Sequence, residues 1–367
     1  MQFKILSVVG ARPNFIKVAP IHHALSAYSD IEHIICHTGQ HFDSRMSDVF
    51  FNELGLPVPD YNLEISGGSH ADQTARIMIA FEEVMLETEP DIVLVVGDVN
   101  STLACSLVAA KLEVKVVHVE AGLRSFDRSM PEEINRMVTD VISDMLFVTE
   151  ESGLKNLLKE GKSKEQIFFT GNVMIDSLVR LQPKFEMSQI FSELKVTPCE
   201  YVLCTFHRPA NVDSKEFLLE LQAVLNKIAE KNTIVFPIHP RTKFNLENWE
   251  MIKGFSDRVL LTDPIGYIDF LALAGKAKLI ITDSGGIQEE STFMGIQCIT
   301  VRDNTERPVT VDIGTNQLLG RDLQKVSEAA LAVLDGKIKK GAIPELWDGK
   351  AAERIAAILH TELLKSN

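Results

Sequence analysis

The chain has 367 residues, with 37 Lys and Arg against 51 Asp and Glu, a formal net charge of −14 and 45% hydrophobic residues. This length predicts two domains, and this composition excludes a wholly disordered protein. The acidity argues against a nucleic-acid-binding or anionic membrane-binding surface, because both favour clustered Lys and Arg.

The cysteines and the N-terminus predict a cellular compartment. The five cysteines are scattered and odd in number, which predicts free, buried thiols in a reducing compartment. The N-terminal apolar run is too short for a signal peptide, and no stretch approaches the roughly 18 apolar residues of a membrane span. We therefore expect a cytoplasmic protein that binds neither membrane nor nucleic acid.

Short β-branched runs alternate with longer amphipathic segments along the whole chain. Strands are predicted at 4–9, 33–37, 92–96, 114–119, 146–149 and 167–170, and again at 201–205, 233–238, 259–261, 279–282, 298–301 and 317–319. Continuously apolar runs such as Ile92–Val96 are typical of strands buried on both faces of a parallel sheet. Alternation with helical segments such as 71–87 and 216–231 predicts an α/β protein with doubly wound sheets.

Six strands, a break and six further strands predict two Rossmann-like domains. The break falls in a poorly patterned stretch between Gly171 and Tyr201. We expect an N-terminal domain over 1–175 and a C-terminal domain over 176–349. The tail carries apolar residues at helical spacing, so a helix over 350–367 is expected to pack back on the body of the protein.

Polar residues follow several strands of the first half, at the sheet edge where open α/β sheets bind ligands. After the first strand, Arg12 and Lys17 place two cations near a helix start, although they could equally be solvated charges. The dinucleotide pattern Gly-x-Gly-x-x-Gly is absent there, which counts against a nicotinamide site of the usual kind. Asp98 and Glu120 end two later strands, and carboxylates brought together suit acid–base chemistry. Asp98 could instead cap the following helix.

The segment 129–136 fits the start of a helix. Ser129 and Glu132 have the Ser-x-x-Glu spacing of a capping box, and Arg136 lies one turn beyond Glu132, at salt-bridge distance. The residues alone therefore favour a structural role over catalysis for this segment.

Two histidines of the second half close strands in equivalent places. His207 and His239 each have an arginine close behind, which indicates a functional role. Phosphate is a better ligand for these His/Arg pairs than a metal, because no cluster with metal-ligand spacing exists in the sequence.

The segment 282–290 joins a strand directly to a helix. Exposed amides at Ser284, Gly285 and Gly286 would form an anion site that a pyrophosphate can approach closely. A plain helix cap at Ser284 would leave the Gly pair unexplained, because glycine destabilises a helix. Glu290, one turn into the helix, is placed to accept a hydrogen bond from a sugar hydroxyl. Arg307 adds a cation in a later loop, which could also be a surface turn.

At these segments the chain closely resembles the non-hydrolysing UDP-N-acetylglucosamine 2-epimerase family over nearly its whole length. The shared motifs are G-A-R-P from Gly10, T-G-Q-H from Thr38, G-D at Gly97, H-V-E-A-G-L-R from His118, P-E-E-I-N-R from Pro131, and the segment 282–290. The resemblance implies a fold like that of the B-type glycosyltransferases (GT-B-like), with two domains facing a cleft and the nucleotide mainly on the C-terminal domain.

The resemblance also implies a reaction. UDP is eliminated to leave a glycal, and it is re-added after a proton returns to the opposite face of the carbon bearing the acetamido group. UDP-N-acetylglucosamine and UDP-N-acetylmannosamine are thereby interconverted to supply cell-surface polysaccharide precursors. No cofactor and no metal are implied, the partner is the UDP-sugar substrate, and a homodimer is the family's expectation.

Roles for individual residues follow from the same resemblance. The acid–base carboxylates near the sugar are Asp98, Glu120 and Glu132, any one of which could remove the proton, and His207 lies beside the departing phosphate. Arg12, Lys17 and Arg307 neutralise the diphosphate. The amides of Ser284, Gly285 and Gly286 hold phosphate, Glu290 binds the ribose, and Phe270 with the backbone around Ile265 covers the uracil.

The sequence departs from the family pattern in two places. Asp43 stands where bacterial relatives carry a second Gln, which argues against activation by a second substrate molecule even though Arg76 is available. Segments 42–46 and 124–127 look more like the branch that acts on a UDP-diacetamido-uronic acid, whereas the loop 305–308 favours UDP-N-acetylglucosamine, the substrate predicted here. The alternatives are that second 2-epimerase activity, a GT-B glycosyltransferase that needs an acceptor, and a non-catalytic nucleotide-sugar sensor.

Overall fold

A computed structural model describes residues 2–39, 51 and 53–365, so the predicted Asp43 departure and the 42–46 segment lie outside the described residues. The chain divides into two compact units. The first comprises Met1–Arg180 and Glu345–Asn367, and the second comprises Leu181–Pro344.

The first unit contains a seven-stranded parallel sheet in the order β3-β2-β1-β4-β5-β6-β7. Its strands are β1 Phe3–Val9, β2 Ile31–His37, β3 Tyr61–Asn62, β4 Ile92–Val96, β5 Lys115–Val119, β6 Met145–Val148 and β7 Ile167–Phe169. Its helices are α1 Arg12–Leu25, α2 His70–Thr88, α3 Asn100–Lys111, α4 Pro131–Ile142, α5 Glu151–Lys159 and α6 Val173–Phe185, which contains the unit boundary.

The second unit contains a six-stranded parallel sheet in the order β10-β9-β8-β11-β12-β13. Its strands are β8 Tyr201–Thr205, β9 Thr233–Pro237, β10 Val259–Thr262, β11 Leu279–Thr282, β12 Cys298–Thr300 and β13 Asn316–Leu318. Its helices are α7 Ile190–Leu194, α8 Pro209–Val212, α9 Lys215–Ala229, α10 Pro240–Asn248, α11 Tyr267–Gly275, α12 Gly285–Met294, α13 Pro308–Asp312 and α14 Leu323–Leu334.

The tail helix α15, Ala351–Lys365, belongs to the first unit. The Asp176 carboxylate accepts the amide of Ala352 (2.7 Å) at its start, and Nε1 of the buried Trp347 donates to the Thr149 carbonyl (2.9 Å). The apolar stripe of the tail, which includes Ile355 and Leu359, is fully buried. Burial of this stripe is what fixes the helix on the unit.

The predicted α/β class with two Rossmann-like sheets is confirmed. The predicted strands are all present with ends shifted by at most two residues, because their continuous apolar runs are buried on both faces, as in β4. Strand β3 was not predicted, since two residues are too few to form a pattern. In both sheets the order reverses once, between β1 and β4 and between β8 and β11. Such reversals are where open α/β sheets bind ligands.

One local prediction is wrong. Cys199 is exposed, whereas Cys36, Cys105, Cys204 and Cys298 are buried. Cys199 lies in a turn with a left-handed backbone (φ 65°) just before β8, whereas Cys36, Cys204 and Cys298 lie in strands and Cys105 lies in helix α3. Within the described residues, no helix is both long enough and apolar enough to cross a membrane.

Candidate active site

Asn14 fixes the turn between β1 and α1, where the sheet order of the first unit reverses. Its Oδ1 accepts the amides of Gly10 (3.1 Å) and Ala11 (2.8 Å), and its Nδ2 donates to the carbonyl of Val96 at the end of β4 (3.0 Å). A Cβ on Gly10 would lie 2.2 Å from Oγ of Ser101 in α3. Glycine is therefore required at this turn because α3 approaches the backbone closely.

Lys17 and Glu120 form a buried ion pair at this edge of the sheet. Nζ of Lys17 contacts Oε2 of Glu120, and the two side chains are only 7% and 5% exposed. The backbone of Glu120 has a φ of 75°, in the left-handed region that residues other than glycine rarely adopt. The Phe147 carbonyl holds this conformation by accepting the amides of Glu120 and Ala121, each at 3.0 Å. Backbone strain held in this way is typical of functional sites.

Asp98 follows β4 and is partly exposed. Its Oδ2 contacts Nη2 of Arg136 in α4, and its carbonyl accepts Nδ2 of Asn135 at 2.9 Å. Helix α3 begins after Val99, its N-cap residue, whose side chain makes no cap bond. A Cβ on Gly97 (φ 68°) would lie 3.0 Å from Nζ of Lys17 and 3.9 Å from Oε2 of Glu120. The structure therefore brings the Asp98 turn beside the buried ion pair.

Helix α4 begins differently from the prediction. Its N-cap is Met130, which makes no side-chain cap bond, and Oγ of Ser129 donates to Oδ1 of Asp127 at 2.6 Å. The predicted Ser129–Glu132 capping box is therefore wrong, because the hydroxyl bonds backwards rather than into the helix. Glu132 is exposed in the first turn, and no hydrogen bond or ion pair within the described residues joins it to Asp98 or Glu120.

Glu133 is the structural carboxylate of this helix, and the sequence reasoning missed it. It is 1% exposed, accepts the amide and Oγ of Ser125 (both 2.9 Å), and pairs with Arg136. The predicted Arg136–Glu132 salt bridge is thus wrong. Residues 132 and 133 point about 100° apart around the helix, and it is Glu133 that faces the interior.

A second feature missed from the sequence is a buried network behind β5. Nδ1 of the wholly buried His118 lies 2.6 Å from Oδ1 of Asp140, and Nε2 lies 2.8 Å from the Gly97 carbonyl oxygen. Oδ2 of Asp140 accepts the Gly122 amide (3.0 Å) and pairs with Nη2 of Arg124 (2.7 Å). Burial opposes ionisation of Asp140 most strongly, but His118 and Arg124 together outweigh it and lower its pKa. A histidine within an apolar strand is the only signal that could have suggested this network.

Two further arginines of the first unit, Arg12 and Arg76, differ in their surroundings. Arg12 is the first residue of α1 and is half-buried. Nη2 of Arg76 donates to Oδ2 of Asp72 (2.7 Å) and to the carbonyl of Gly67 (2.8 Å).

In the second unit, His207 and Asp283 meet at the sheet reversal between β8 and β11. Nδ1 of His207 lies 2.9 Å from Oδ1 of Asp283, which is wholly buried and also accepts the Arg208 amide (3.0 Å) and Nδ2 of Asn211 (3.1 Å). Burial alone would raise the pKa of Asp283, but His207 and these donors together lower it. An ionised Asp283 therefore fixes the orientation of the half-exposed imidazole.

His239 lies next to His207, as their equivalent positions in the sequence suggested. The two ring centroids are 5.8 Å apart, and Nδ1 of His239 accepts the Arg241 amide (3.2 Å) as the N-cap of α10. Partial burial, followed by the charge of His207, lowers the pKa of His239. The nearby arginines are partly engaged: Nη2 of Arg241 pairs with Asp213 (2.5 Å), and Nε of Arg208 donates to the Asp283 carbonyl (3.0 Å).

The start of α12 places Ser284, Gly285 and Gly286 at the same edge. Ser284 is the N-cap residue by position, yet its side chain makes no cap bond, so the plain-cap alternative is wrong. A Cβ on Gly285 would lie 2.9 Å from Nη1 of Arg307. Nε of the same arginine lies 2.9 Å from Oε1 of Glu289. The structure thus brings a guanidinium directly beside the first turn of the helix, where amides and helix dipole favour an anion.

The residues predicted to bind the ribose and the uracil lie on α12, on α11 and just before α11. Glu290 is 3% exposed, and its Oε1 accepts the hydroxyl of Tyr267 at 2.7 Å. Tyr267 was not identified from the sequence. Phe270 and Ile265 are half-buried and pack against the apolar cluster between the sheet and these helices.

Carboxylates paired with cations on one reversal, and helix amides with a guanidinium on the other, are typical of an enzyme for a phosphate-bearing substrate. Within the described residues, no group of three or more His, Cys, Asp or Glu side chains could hold a metal ion.

Comparisons with known proteins identify the family. The family model of UDP-N-acetylglucosamine 2-epimerases matches residues 23–360. A UDP-N-acetylglucosamine 2-epimerase of Methanocaldococcus jannaschii is 43% identical over 97% of this chain and 98% of its own. A UDP-2,3-diacetamido-2,3-dideoxy-D-glucuronate 2-epimerase of Pseudomonas aeruginosa is 40% identical over 97% of this chain and 99% of its own.

A solved structure supports the same family. The M. jannaschii UDP-GlcNAc 2-epimerase in complex with UDP-GlcNAc and UDP superposes with a TM-score of 0.89 at 42% identity, covering 98% of this chain and 100% of that one. The protein therefore belongs to the UDP-N-acetylglucosamine 2-epimerase family, and the family expected from its motifs is confirmed.

Proposed function

We propose that this protein is a non-hydrolysing epimerase that interconverts UDP-N-acetylglucosamine and UDP-N-acetylmannosamine. It acts in the cytoplasm, as a homodimer and without a cofactor, and supplies precursors of cell-surface polysaccharides. The observation that carries the proposal is the pair of carboxylates, Asp98 and Glu120, each held by a cation at the sheet reversal of a chain from this family.

The proposed reaction needs two proton-transfer groups. Removal of the C2 proton leaves its electron pair to form the C1–C2 double bond, while the C1–O bond breaks and UDP departs with those electrons. UDP then adds back to C1 as a proton is delivered to C2. Because C2 is inverted, the proton must return to the face opposite the one it left. One group on each face of the ring is therefore required.

Asp98, Glu120 and Glu132 are the proposed acid–base groups. Glu120 is buried against Lys17 in a strained backbone, which makes it the most rigidly placed of the three. Asp98 is partly exposed beside Arg136, and Glu132 is exposed in the first turn of α4. Contact between Lys17 and Glu120 supports a role for Lys17 in holding this carboxylate in addition to its role at the diphosphate.

The second unit holds the nucleotide in this proposal. The amides of Ser284, Gly285 and Gly286 bind the diphosphate together with Arg307, which lies beside Gly285. Arg12 at the start of α1 adds a further cation for the same group. These donors bind the diphosphate equally in the bound substrate and in the departing UDP, so they set nucleotide affinity rather than turnover.

His207 is the proposed partner of the departing phosphate. Because Asp283 accepts from Nδ1, the opposite nitrogen, Nε2, is the one that faces the ligand. His239 beside it binds phosphate as well. Glu290, positioned by Tyr267, binds the ribose, and Phe270 with the backbone around Ile265 covers the uracil.

A UDP-diacetamido-uronic acid is the second candidate substrate, because a 2-epimerase named for that sugar is 40% identical. Arg124, in the segment that resembles this branch, is 3% exposed and engaged by Asp140 and Glu160. A sugar carboxylate would therefore have to be bound by other residues, which favours UDP-N-acetylglucosamine.

The test is incubation with UDP-N-acetylglucosamine in deuterium oxide, followed by proton NMR. We expect deuterium at C2 and the appearance of the manno epimer. Absence of both would overturn the proposal for this sugar, and the same experiment with the diacetamido-uronic acid would then decide the second candidate. A glycosyltransferase would release UDP only after an acceptor is added, and a sensor would bind without exchange.

A further inference from the structure

We infer that His118 is a positioning residue whose doubly protonated imidazole holds the Gly97–Asp98 turn, for the reaction proposed above, on which this inference rests. His118 is wholly buried in β5, two residues before Glu120. The proposed chemistry leaves it without a role, although its ring contacts the backbone that carries Asp98.

The two acceptors around the ring determine its protonation. Nε2 lies 2.8 Å from the Gly97 carbonyl oxygen, which only accepts hydrogen bonds, so Nε2 carries a proton. Nδ1 lies 2.6 Å from Oδ1 of Asp140. Asp140 is itself a carboxylate, because the Arg124 guanidinium pairs with its other oxygen and the neighbouring charges lower its pKa despite burial. Nδ1 therefore carries a proton too, and the ring is an imidazolium.

Charge balance supports the same assignment. The side chains of His118, Asp140 and Arg124 are all at most 1% exposed. Arg124 divides its charge between Asp140 and Glu160, whose Oε2 lies 2.6 Å from Nη2. A neutral His118 would leave part of the buried carboxylate charge uncompensated, which is costly in the interior.

The hydrogen bond from His118 to the Gly97 carbonyl places the imidazolium next to the turn that carries Asp98. The Gly97 amide donates to the Val119 carbonyl (3.1 Å) while its own carbonyl accepts from His118, so β5 holds the turn from both sides. The same turn packs on the Lys17–Glu120 pair. The charged groups around the ring are Asp140, Arg124, Glu160 and Lys162, and those around the turn are Lys17, Glu120, Asp98 and Arg136.

The expected effect falls on turnover rather than on nucleotide binding. A His118→Gln variant keeps one donor but loses the charge, so the turn is held less firmly. We expect kcat to fall by ~10- to 100-fold, because small misplacements of reacting groups have effects of this size. KM should change by less than about threefold, since most of the residues proposed for the nucleotide lie in the second unit. The acid limb of the pH–kcat profile should move to higher pH, because a buried cation favours ionised carboxylates.

The direct test is nitrogen NMR of 15N-histidine protein at pH 8, with His118→Gln used to assign the signal. We expect the two ring nitrogens of His118 to show the similar shifts of an imidazolium. In Asp140→Asn they should show the separated shifts of a neutral ring. Separated shifts in the wild type would overturn the inference, and the signal that changes in Asp140→Asn supplies the assignment if His118→Gln does not fold.

A matched control is His360→Gln, which breaks another His–Asp contact in the same unit, with Nε2 2.9 Å from Asp30. It should leave kcat and the acid limb unchanged. A folded His118→Gln variant with the kcat and acid limb of the wild type would also overturn the positioning role. If the wild type does not exchange C2, the proposed function fails, yet the NMR result still decides the state of the ring.

Discussion

The two units have the same strand order around their reversal but place different chemical groups there. In the first unit, the charged side chains form two ion pairs, Lys17 with Glu120 and Arg136 with Asp98. In the second, the reversal carries an imidazole on a buried carboxylate and the first turn of a helix. A shared topology thus supplies the place for a ligand, while the residues on it supply the chemistry.

The difference suggests a division of labour. Contacting acids and bases in the first unit suit proton transfer, and oriented amides in the second suit phosphate binding. Substitution of Asp98 or Glu120 should then lower turnover with little effect on UDP affinity, and substitutions at the start of α12 should do the reverse.

The largest effect is expected from Asp98→Asn. The variant keeps the shape of the side chain but removes a proton-transfer group, so kcat should fall by ~10²- to 10⁴-fold. Its affinity for UDP, measured by calorimetry, should stay within about twofold of the wild type. Asp91→Asn is the matched control, because Asp91 accepts the Lys4 amide at the other end of β4 (2.7 Å). Equal loss of turnover and UDP affinity in Asp98→Asn would show that Asp98 is structural.

The buried aspartates Asp176 and Asp283 should give the free energy of unfolding opposite dependences on pH. Burial raises the pKa of Asp176 to about 6, although the amides of Ala352 and Ala351 oppose the shift. Its folded pKa lies above its unfolded value, so the wild type loses stability as the pH rises through about 6. Relative to Asp176→Asn, the free energy of unfolding should fall by about 2–3 kcal/mol between pH 4 and pH 8.

Asp283 should behave oppositely, because His207 and its other donors lower its pKa despite burial. Its contribution is present above its unfolded pKa and is lost only as the pH falls through its still lower folded pKa. The stability difference between the wild type and Asp283→Asn should therefore not decrease as the pH falls from 8 to 5 in denaturant unfolding. A constant difference for Asp176→Asn over pH 4–8 would contradict the account.

A smaller effect is expected from Gly285→Ala. The new Cβ would lie 2.9 Å from Nη1 of Arg307, so the guanidinium must move away from the start of α12. The dissociation constant of UDP should rise by about tenfold, the loss of roughly one charge-assisted hydrogen bond. Gly275→Ala is the control in the same unit, where the Cβ meets only Sδ of Met294 at 3.1 Å. Unchanged UDP affinity in Gly285→Ala would remove α12 from the proposed site.

The smallest effect is expected at an exposed ion pair of the first unit. Lys155 and Glu151 lie 2.9 Å apart with side chains 67% and 70% exposed. Lys155→Ala should change the free energy of unfolding by less than about 0.5 kcal/mol, because water and salt screen such pairs. A loss of stability as large as that caused by Lys17→Ala at the buried Lys17–Glu120 pair would contradict this expectation, because exposure would then not weaken an ion pair.

The sequence predicted the strands and the residues that end them. Ile92–Val96 and its neighbours are continuous apolar runs, so the amino-acid pattern alone was enough to put Asp98 and Glu120 at one edge of a sheet. The helix start at Ser284 was predictable for the same reason, because it follows β11 directly.

What was not predictable depends on orientation and on partners distant in sequence. Glu133 rather than Glu132 faces the interior because helix α4 begins after Met130, a shift that local patterns did not reveal. The contact between His118 and Asp140 joins residues 22 positions apart. Only the packing of α4 against β5 brings them together.

The division of labour is tested most directly by measuring C2 deuterium exchange at saturating UDP-N-acetylglucosamine in the wild type, Asp98→Asn and Gly285→Ala. We expect Asp98→Asn to lose most exchange at every substrate concentration. Gly285→Ala should approach the wild-type rate once saturated. Loss of exchange in Gly285→Ala at saturation equal to that in Asp98→Asn would contradict the account, because the start of α12 would then act on the chemical step.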